Sequence, residues 1–481
     1  MKQTLFLLIA FTLFIPSCIK VGPDFTSPCV PEQSHWTNDE AASQTVEIDD
    51  WWRLFNDPQL EELITAAARQ NLTLRSAAMR VMEARAILGI AIGEFFPQTQ
   101  EVVGDATKFG LSKNAPNSIT TDRQFWDLNL GLSVVWELDF WGKFRRGIES
   151  AQEELGAQKA DFDDVLVILL GDVASTYVAI RTFEERVEII KHNVAIQLRS
   201  LEIVQARWQA GMVTELDVQQ AKTLLASTEA TLPVLTADYV RSKNALAVLL
   251  GVPPADIGCY LTTSGKIPTA PETIAIEIPC ALLTRRPDIR RALHSAAAQS
   301  ARIGIAESEL YPSLSLTGFF GLNSSAAASR RTTGGNRKFF SADSLTYTFG
   351  GGFSWPILNY GRLINRVRAE SSLFREAIFD YQNTVLVAYK EVEDALTSFF
   401  NSQRQVSYLT DSVKAANRAT ELSRTQYVEG IADYTRVLNT EQASVEQEEE
   451  QAIARGNIAL SLIATYRALG GGWRSFTCTG R

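Results

Sequence analysis

The chain has 481 residues, 46% of them hydrophobic and 21% charged, and a formal net charge of -9, the make-up of an ordered chain with a large core. Its acidic balance, with no block of Lys and Arg, leaves no electrostatic footprint for nucleic acid and excludes that class of partner. Length alone allows two or three ordinary domains or one extended one.

Residues 1–17 carry one early Lys, an apolar run from Leu5 to Ile15, then Pro16 and Ser17. This is the layout of a secretory leader, with a run too short to cross a membrane. Cys18 follows directly. A Cys after a small residue at the end of such a leader resembles the lipobox of bacterial lipoproteins, which makes Cys18 the expected lipid attachment site; the alternative is an ordinary leader with an incidental cysteine. Ile19, where inner-membrane lipoproteins typically carry Asp, points to the outer membrane. A lipid-anchored segment is expected over residues 18–57.

A first structural unit is expected over residues 58–251. It opens with a helical stretch from Pro58 to Phe95 and changes to strand period between about residues 97 and 136. Trp126, Leu128, Leu130, Leu132, Val134 and Trp136 alternate with Asp127, Asn129, Gly131 and Ser133, which places one set on each face of a sheet. Thr99 to Phe109 is a weaker partner, and Leu111 to Arg123 reads as a loop. From Gly142 to Gln209 there is no proline, and apolar positions from Phe162 to Trp208 recur every 3.5 residues, a coiled-coil repeat. At ~1.5 Å per residue such a helix runs roughly 100 Å. A shorter helix, Thr214 to Leu250, completes the unit.

Residues 252–282 form a Pro-rich linker, in which Cys259 and Cys280 either pair or stay free. Residues 283–470 then repeat the first unit, with strands over about 312–357, and 471–481 form a tail. Trp136, Trp141, Gly142, Gly211 and Gly251 recur as Trp355, Tyr360, Gly361, Gly430 and Gly470, each 219 residues later. Leu345, Tyr347, Phe349, Phe353 and Trp355 again alternate with small polar residues, and Leu314, Leu316 and Phe320 do so just upstream. The second long helix, Gly361 to Val428, has a more polar stripe, with Ser402, Asn417, Thr420 and Ser423. The chain is therefore expected to be a mixed α and β membrane protein, internally duplicated.

Runs of about ten alternating residues with aromatic ends, behind an export signal, fit outer-membrane strands. Leu128, Leu130, Tyr347 and Phe349 then face lipid, and Asp127 and Asn129 face the lumen. Four strands cannot close a barrel, because an open edge in lipid costs several kcal/mol per unpaired backbone group. Three copies supply twelve strands; two supply eight, which leaves little or no channel.

Enzyme chemistry is not expected. His35, His192 and His294 lack ligand spacing, Gly350, Gly351 and Gly352 lack the Lys of a phosphate loop, and Glu448 to Glu450 reads as a solvated helix face. No cofactor and no metal is implied.

The segments Val21-Gly22-Pro23-Asp24-Phe25, Trp51-Trp52-Arg53-Leu54-Phe55 with Asp57-Pro58-Gln59-Leu60, and Arg285-Arg286-Pro287-Asp288-Ile289 lie in order on this duplicated frame. Together they resemble the TolC-like outer-membrane efflux factors, in the lipidated branch that serves tripartite proton-driven exporters. Read by itself, the last segment is a helix start, with Pro287 in the first turn and Asp288 toward the positive dipole end. The resemblance implies a homotrimer, with a twelve-stranded barrel in the outer membrane and a periplasmic helical tube of long coiled-coil helices. It implies a periplasmic adaptor and an inner-membrane pump as partners, and passive conduction of drugs or other small toxic compounds. It further implies a periplasmic gate: Asp217 and Tyr427 match an aspartate and a tyrosine that hold the closed state, while Arg436 and Asn439 stand where acidic residues are frequent. Asp217 also reads as a first-turn acid of a helix starting near Thr214. Two rival functions share part of the pattern. A duct for ATP-driven type I protein secretion keeps the whole frame, and a structural coiled-coil periplasmic lipoprotein has no use for the four strands.

Overall fold

The computed structural model describes residues 19–31, 33, 35–37, 42–43, 49–112, 114, 123–261, 265–271, 274–276, 285–327 and 339–477. Cys18, Cys280 and most of the expected Leu111 to Arg123 loop lie outside the described residues. In chain order the main elements are α1 (Pro58–Gln70), α2 (Leu72–Glu94), β1 (Thr99–Gly110), β2 (Gln124–Leu138), α3 (Lys143–Gln209), α4 (Glu215–Leu250), α5 (Pro287–Ser308), β3 (Ser313–Ala327), β4 (Leu345–Ser354), α6 (Arg362–Val428) and α7 (Tyr434–Ala468), followed by the short α8 (Trp473–Thr477). The long helices α3 and α6 are 67 residues each, and in both repeats a helix, two strands, a long helix and a shorter helix follow one another, with α1 preceding them in the first.

The chain folds as two compact units, one drawn from Met1–Pro28, Met82–Ala157 and Leu293–Asp380, the other from the rest. Each unit takes described residues from both repeats. In the first, β1, β2, β3 and β4 form one antiparallel sheet in that order. The copies meet at its centre, where Leu130 pairs with Leu322 and Leu132 with Phe320. Phe320 in turn pairs with Tyr347, so these apolar residues form rows on one face. Gly131 stands opposite Gly321; a Cβ at Gly131 would lie 2.6 Å from Phe319 Cζ and 2.8 Å from Gly321 Cα. Both positions are held to glycine because the facing backbone and the Phe319 ring leave no room for a Cβ. β1 and β4 each keep one edge without a described partner strand.

The segment from Lys20 to Asp24 is fastened to this unit. Its Val21 N–H donates to the Trp141 carbonyl at 3.1 Å. Arg146, only 1% exposed, donates to the carbonyls of Val21 at 3.0 Å and Gly22 at 2.8 Å, and to Glu149 at 2.8 Å. Gly22 has φ +88°, and a Cβ there would lie 2.4 Å from Gly304 Cα, so neither conformation nor space admits another residue.

In the second unit α1 starts on Pro58, with the Asp57 carboxylate accepting from the N–H groups of Gln59 and Leu60, a capped start. Its buried face, Leu60, Leu63, Ile64 and Ala67, carries the core with Trp51, whose ring stacks on Tyr466 at 6.0 Å. Arg286 is buried and donates to the Ala468 carbonyl at 2.7 Å while pairing with Asp288 at 2.7 Å and Glu391 at 2.7 Å. The motif Arg285 to Ile289 thus starts α5 and also caps the end of α7. Among the described helices, α3 alone contains a stretch long and apolar enough to cross a membrane, and most of that stretch is buried inside the protein.

The stripe read along α3 is buried at Leu169, Val173, Ile180, Ile190, Leu201 and Val204, but Leu198 and Trp208 are exposed. Asn193, Gln197 and Ser200 are buried instead. The reason is the polar second copy opposite. Asn193 donates to Glu448 at 2.8 Å and Ser200 to Glu441 at 2.5 Å. Glu448 also accepts from Asn417, and Glu449 pairs with Arg186 at 3.0 Å. The Glu448 to Glu450 run is therefore not a solvated face throughout: Glu448 and Glu449 are half-buried and bonded, and only Glu450 is exposed. Cys259 is an exposed free thiol.

Candidate functional site

Two regions of the structure hold the residues singled out in the sequence. The first is the polar face of the sheet. Asp127 Oδ1 accepts from Ser325 Oγ at 3.2 Å and Asn323 Nδ2 at 3.5 Å, and Asp105 pairs in register with Asn129. The opposite face presents exposed Leu130, Leu132, Phe320, Tyr347 and Phe349. Alternation along each strand thus separates a hydrophilic surface from a lipophilic one in a single sheet.

The second region is the pair of helical turns. Gly211 and Gly430 have φ +73° and +80°, the left-handed conformation that ends a helix. Each turn closes the same way: Met212 N–H donates to the Arg207 carbonyl at 2.9 Å, and Ile431 N–H to the Gln426 carbonyl at 2.9 Å. The next helix is then capped. In the first copy the Asp217 carboxylate accepts from both the N–H and the hydroxyl of Thr214 at 2.9 Å; in the second, Asp433 accepts from the Arg436 N–H at 3.3 Å. Arg436 is the repeat counterpart of Asp217, at the same position of the first turn. A cation there opposes the helix dipole by about 0.3 to 1 kcal/mol, a cost that helix formation does not explain.

Beneath the turns lies an apolar cluster of Leu201, Val204, Val218, Ala221, Leu225, Tyr427, Tyr434 and Val437. The rings of Tyr427 and Tyr434 meet edge to face at 5.4 Å. The Tyr427 hydroxyl is buried, with no hydrogen-bond partner within reach among the described residues. Burial pushes its phenol above the ordinary range, the Arg207 guanidinium opposes that, and the Asp217 charge adds to it. The Asp217 carboxylate oxygen spends its bonds on Thr214. Arg436 and Asn439 are exposed, three residues apart, which places them on one face of α7. Arg207, which sequence reasoning passed over, donates to the carbonyls of Tyr427 and Val428, the latter at 3.2 Å. Its only local signal, a basic residue in the last turn of α3, suggests a cap on its own helix.

No group of three or more His, Cys, Asp or Glu among the described residues is arranged to hold a metal ion. The family that matches the chain is "outer membrane efflux protein", over residues 63–252 and again over 278–471. The chain is 29% identical over 473 residues to the pyoverdine export outer membrane protein OpmQ of Pseudomonas putida, covering 97% of each. It is 30% identical over 464 residues to nodulation protein T of Rhizobium leguminosarum bv. viciae, covering 96% of this chain and 92% of that one. The solvent efflux pump outer membrane protein SrpC of Pseudomonas putida is 28% identical over 476 residues, with 96% and 97% covered. Among solved structures, the outer-membrane channel OprN superposes with a TM-score of 0.85 at 29% identity, covering 95% of this chain and all of that one.

Proposed function

Because the chain belongs to the outer membrane efflux protein family and carries its unit twice, we propose that three copies close one barrel and one periplasmic tube, through which small organic compounds leave the cell. The protein is an outer-membrane channel of a tripartite efflux system. The observation that carries the trimer is the open sheet: four strands with free edges at β1 and β4, which a membrane does not tolerate. Light scattering of detergent-extracted protein, corrected for detergent, should give a trimer; a well-behaved monomer would refute it.

The cargo follows from the pump. Similar chains are named for pyoverdine, solvent and toluene export, so one duct architecture accompanies different exported compounds. Selection therefore lies upstream, in an inner-membrane pump and a periplasmic adaptor, and this chain conducts passively. Deleting its gene should raise susceptibility to several unrelated toxic compounds at once, and plasmid-borne protein should restore resistance. A deletion that leaves susceptibility to every compound unchanged sinks the efflux role.

Cys18 is the proposed site of acylation, which adds a lipid anchor to the barrel. Asp217, Tyr427, Arg436 and Asn439 are the proposed periplasmic gate, supported by their position at the two turns, where Tyr427 lies near the end of α6 and the other three lie in the opening turns of α4 and α7. Three copies of Arg436 would weaken any attraction for cations at the narrowest ring. Single-channel recording of Asp217→Ala and Tyr427→Phe should show raised conductance; wild-type conductance in both removes them from the gate.

A further inference from the structure

The last carbonyls of a helix have no partner within it, and at the end of α6 the first repeat supplies one. Arg207 of α3 donates from Nη1 to the Tyr427 carbonyl and from Nη2 to the Val428 carbonyl at 3.2 Å. Its guanidinium also lies over the Tyr427 ring, 4.7 Å from the centroid. That ring is 5% exposed and belongs to the apolar cluster beneath the turns. The second-copy turn is thus gripped on two sides, by a cation on its backbone and by an apolar socket around its aromatic ring.

We propose that Arg207 is the positioning residue that clamps the second-copy turn to the first repeat, and that losing it frees the periplasmic end of the duct more than losing the Tyr427 hydroxyl does. The proposal rests on the gate reading given above and names the contact that holds the gate shut. Two features favour Arg207 over a bond between Tyr427 and Asp217. Among the described residues the Tyr427 hydroxyl makes no hydrogen bond to Asp217, and the Asp217 carboxylate accepts from Thr214. The clamp is also one-sided. The repeat counterpart of Arg207 is Gln426, and that of Tyr427 is Trp208, which is exposed. One clamp per chain gives three per trimer, all restraining the second-copy turn. A planar fork that stacks and donates twice is a task for Arg; Lys offers a point charge without the fork.

The test is single-channel recording on purified trimers in planar bilayers, with thermal melting of the same trimers alongside. Arg207→Gln should raise the open fraction roughly tenfold, as expected for losing a charge-assisted pair of hydrogen bonds, and leave the trimer melting point nearly unchanged. Arg207→Lys should restore part of the closed behaviour. Tyr427→Leu, which removes the ring but keeps the carbonyl, attacks the clamp from the other side and should also open it, so the proposal stays testable if Arg207→Gln fails to assemble. Arg199→Gln, exposed on the same helix, controls for one lost charge. The expected order places Arg207→Gln above Tyr427→Phe. If Asp217→Ala and Tyr427→Phe open the duct while Arg207→Gln does not, the clamp is refuted and the gate stands. If none of these variants alters conductance, the gate itself is refuted.

Discussion

Placing Arg at position 130 tests the assignment of the sheet faces. Trp126 and Trp136 mark the two ends of the lipophilic face of β2, ten residues apart in the sequence. At ~3.3 Å per residue and a strand tilt of ~40°, that distance spans about 25 Å of membrane depth, the height of the apolar band of such barrels. Leu130, four residues past Trp126, then lies within roughly 3 Å of the midplane. Arg at that depth costs about 2 to 4 kcal/mol per chain. Three copies in a trimer therefore cost about 6 to 12 kcal/mol, comparable with the whole stability of an ordinary folded protein. Asn129→Arg is the matched control, because position 129 pairs with Asp105 and Asn323 on the polar face; its expected cost is below about 1 kcal/mol. Outer-membrane fractions should contain trimeric Asn129→Arg at near wild-type yield and little Leu130→Arg, and urea unfolding in lipid vesicles should rank them the same way. Equal assembly of the two variants would show that the faces are wrongly assigned.

Burial pushes Asp163 up to about 6 despite Arg290, and pushes Asp164 up to about 6 with Asp288 adding to it. A carboxyl whose pKa rises on folding contributes stability below about pH 4 that is lost as the pH climbs through 6, so Asp164→Asn should raise stability at pH 7 by roughly 1 to 3 kcal/mol in denaturant unfolding and flatten the profile between pH 4 and 6; a lowered stability refutes this. Gly22→Ala, with its left-handed φ and its contact on Gly304, should loosen residues 20–24 at a cost of about 1 to 3 kcal/mol. Limited proteolysis should then cut that segment first, and wild-type resistance would refute the fit. Intact mass spectrometry of the membrane-bound chain should find it starting at an acylated Cys18, and a chain starting elsewhere or without lipid would end that reading.

The strands were legible because period-two alternation is local: Trp126 to Trp136 states its own faces, and the repeat marks Leu345 to Trp355 as its counterpart in the second copy. β1 was weaker in the sequence because Gly104 and Ala106 beside Val102 carry little apolar signal. The capping role of Asp217 was equally local, three residues from Thr214. What remained hidden depends on contacts across the fold. Nothing near Ser200 announces Glu441, which it meets from 241 positions away, and a stripe read from α3 alone picks the apolar Leu198 over the buried Gln197. Arg286 and Arg207 escaped for the same reason, since each caps a helix other than its own.

The fastening of residues 20–24 carries a consequence for the order of export. A chain led out by its N-terminus delivers Val21 and Gly22 first, yet their seat is finished only by Gly304, in the second repeat. Val21 and Gly22 therefore reach their seat only after α5, which carries Gly304, has been exported as well. A chain interrupted before that point leaves its head loose and open to periplasmic proteases, while a complete chain draws it in. The duplication thereby makes the start of the protein a proof-reader of its second half.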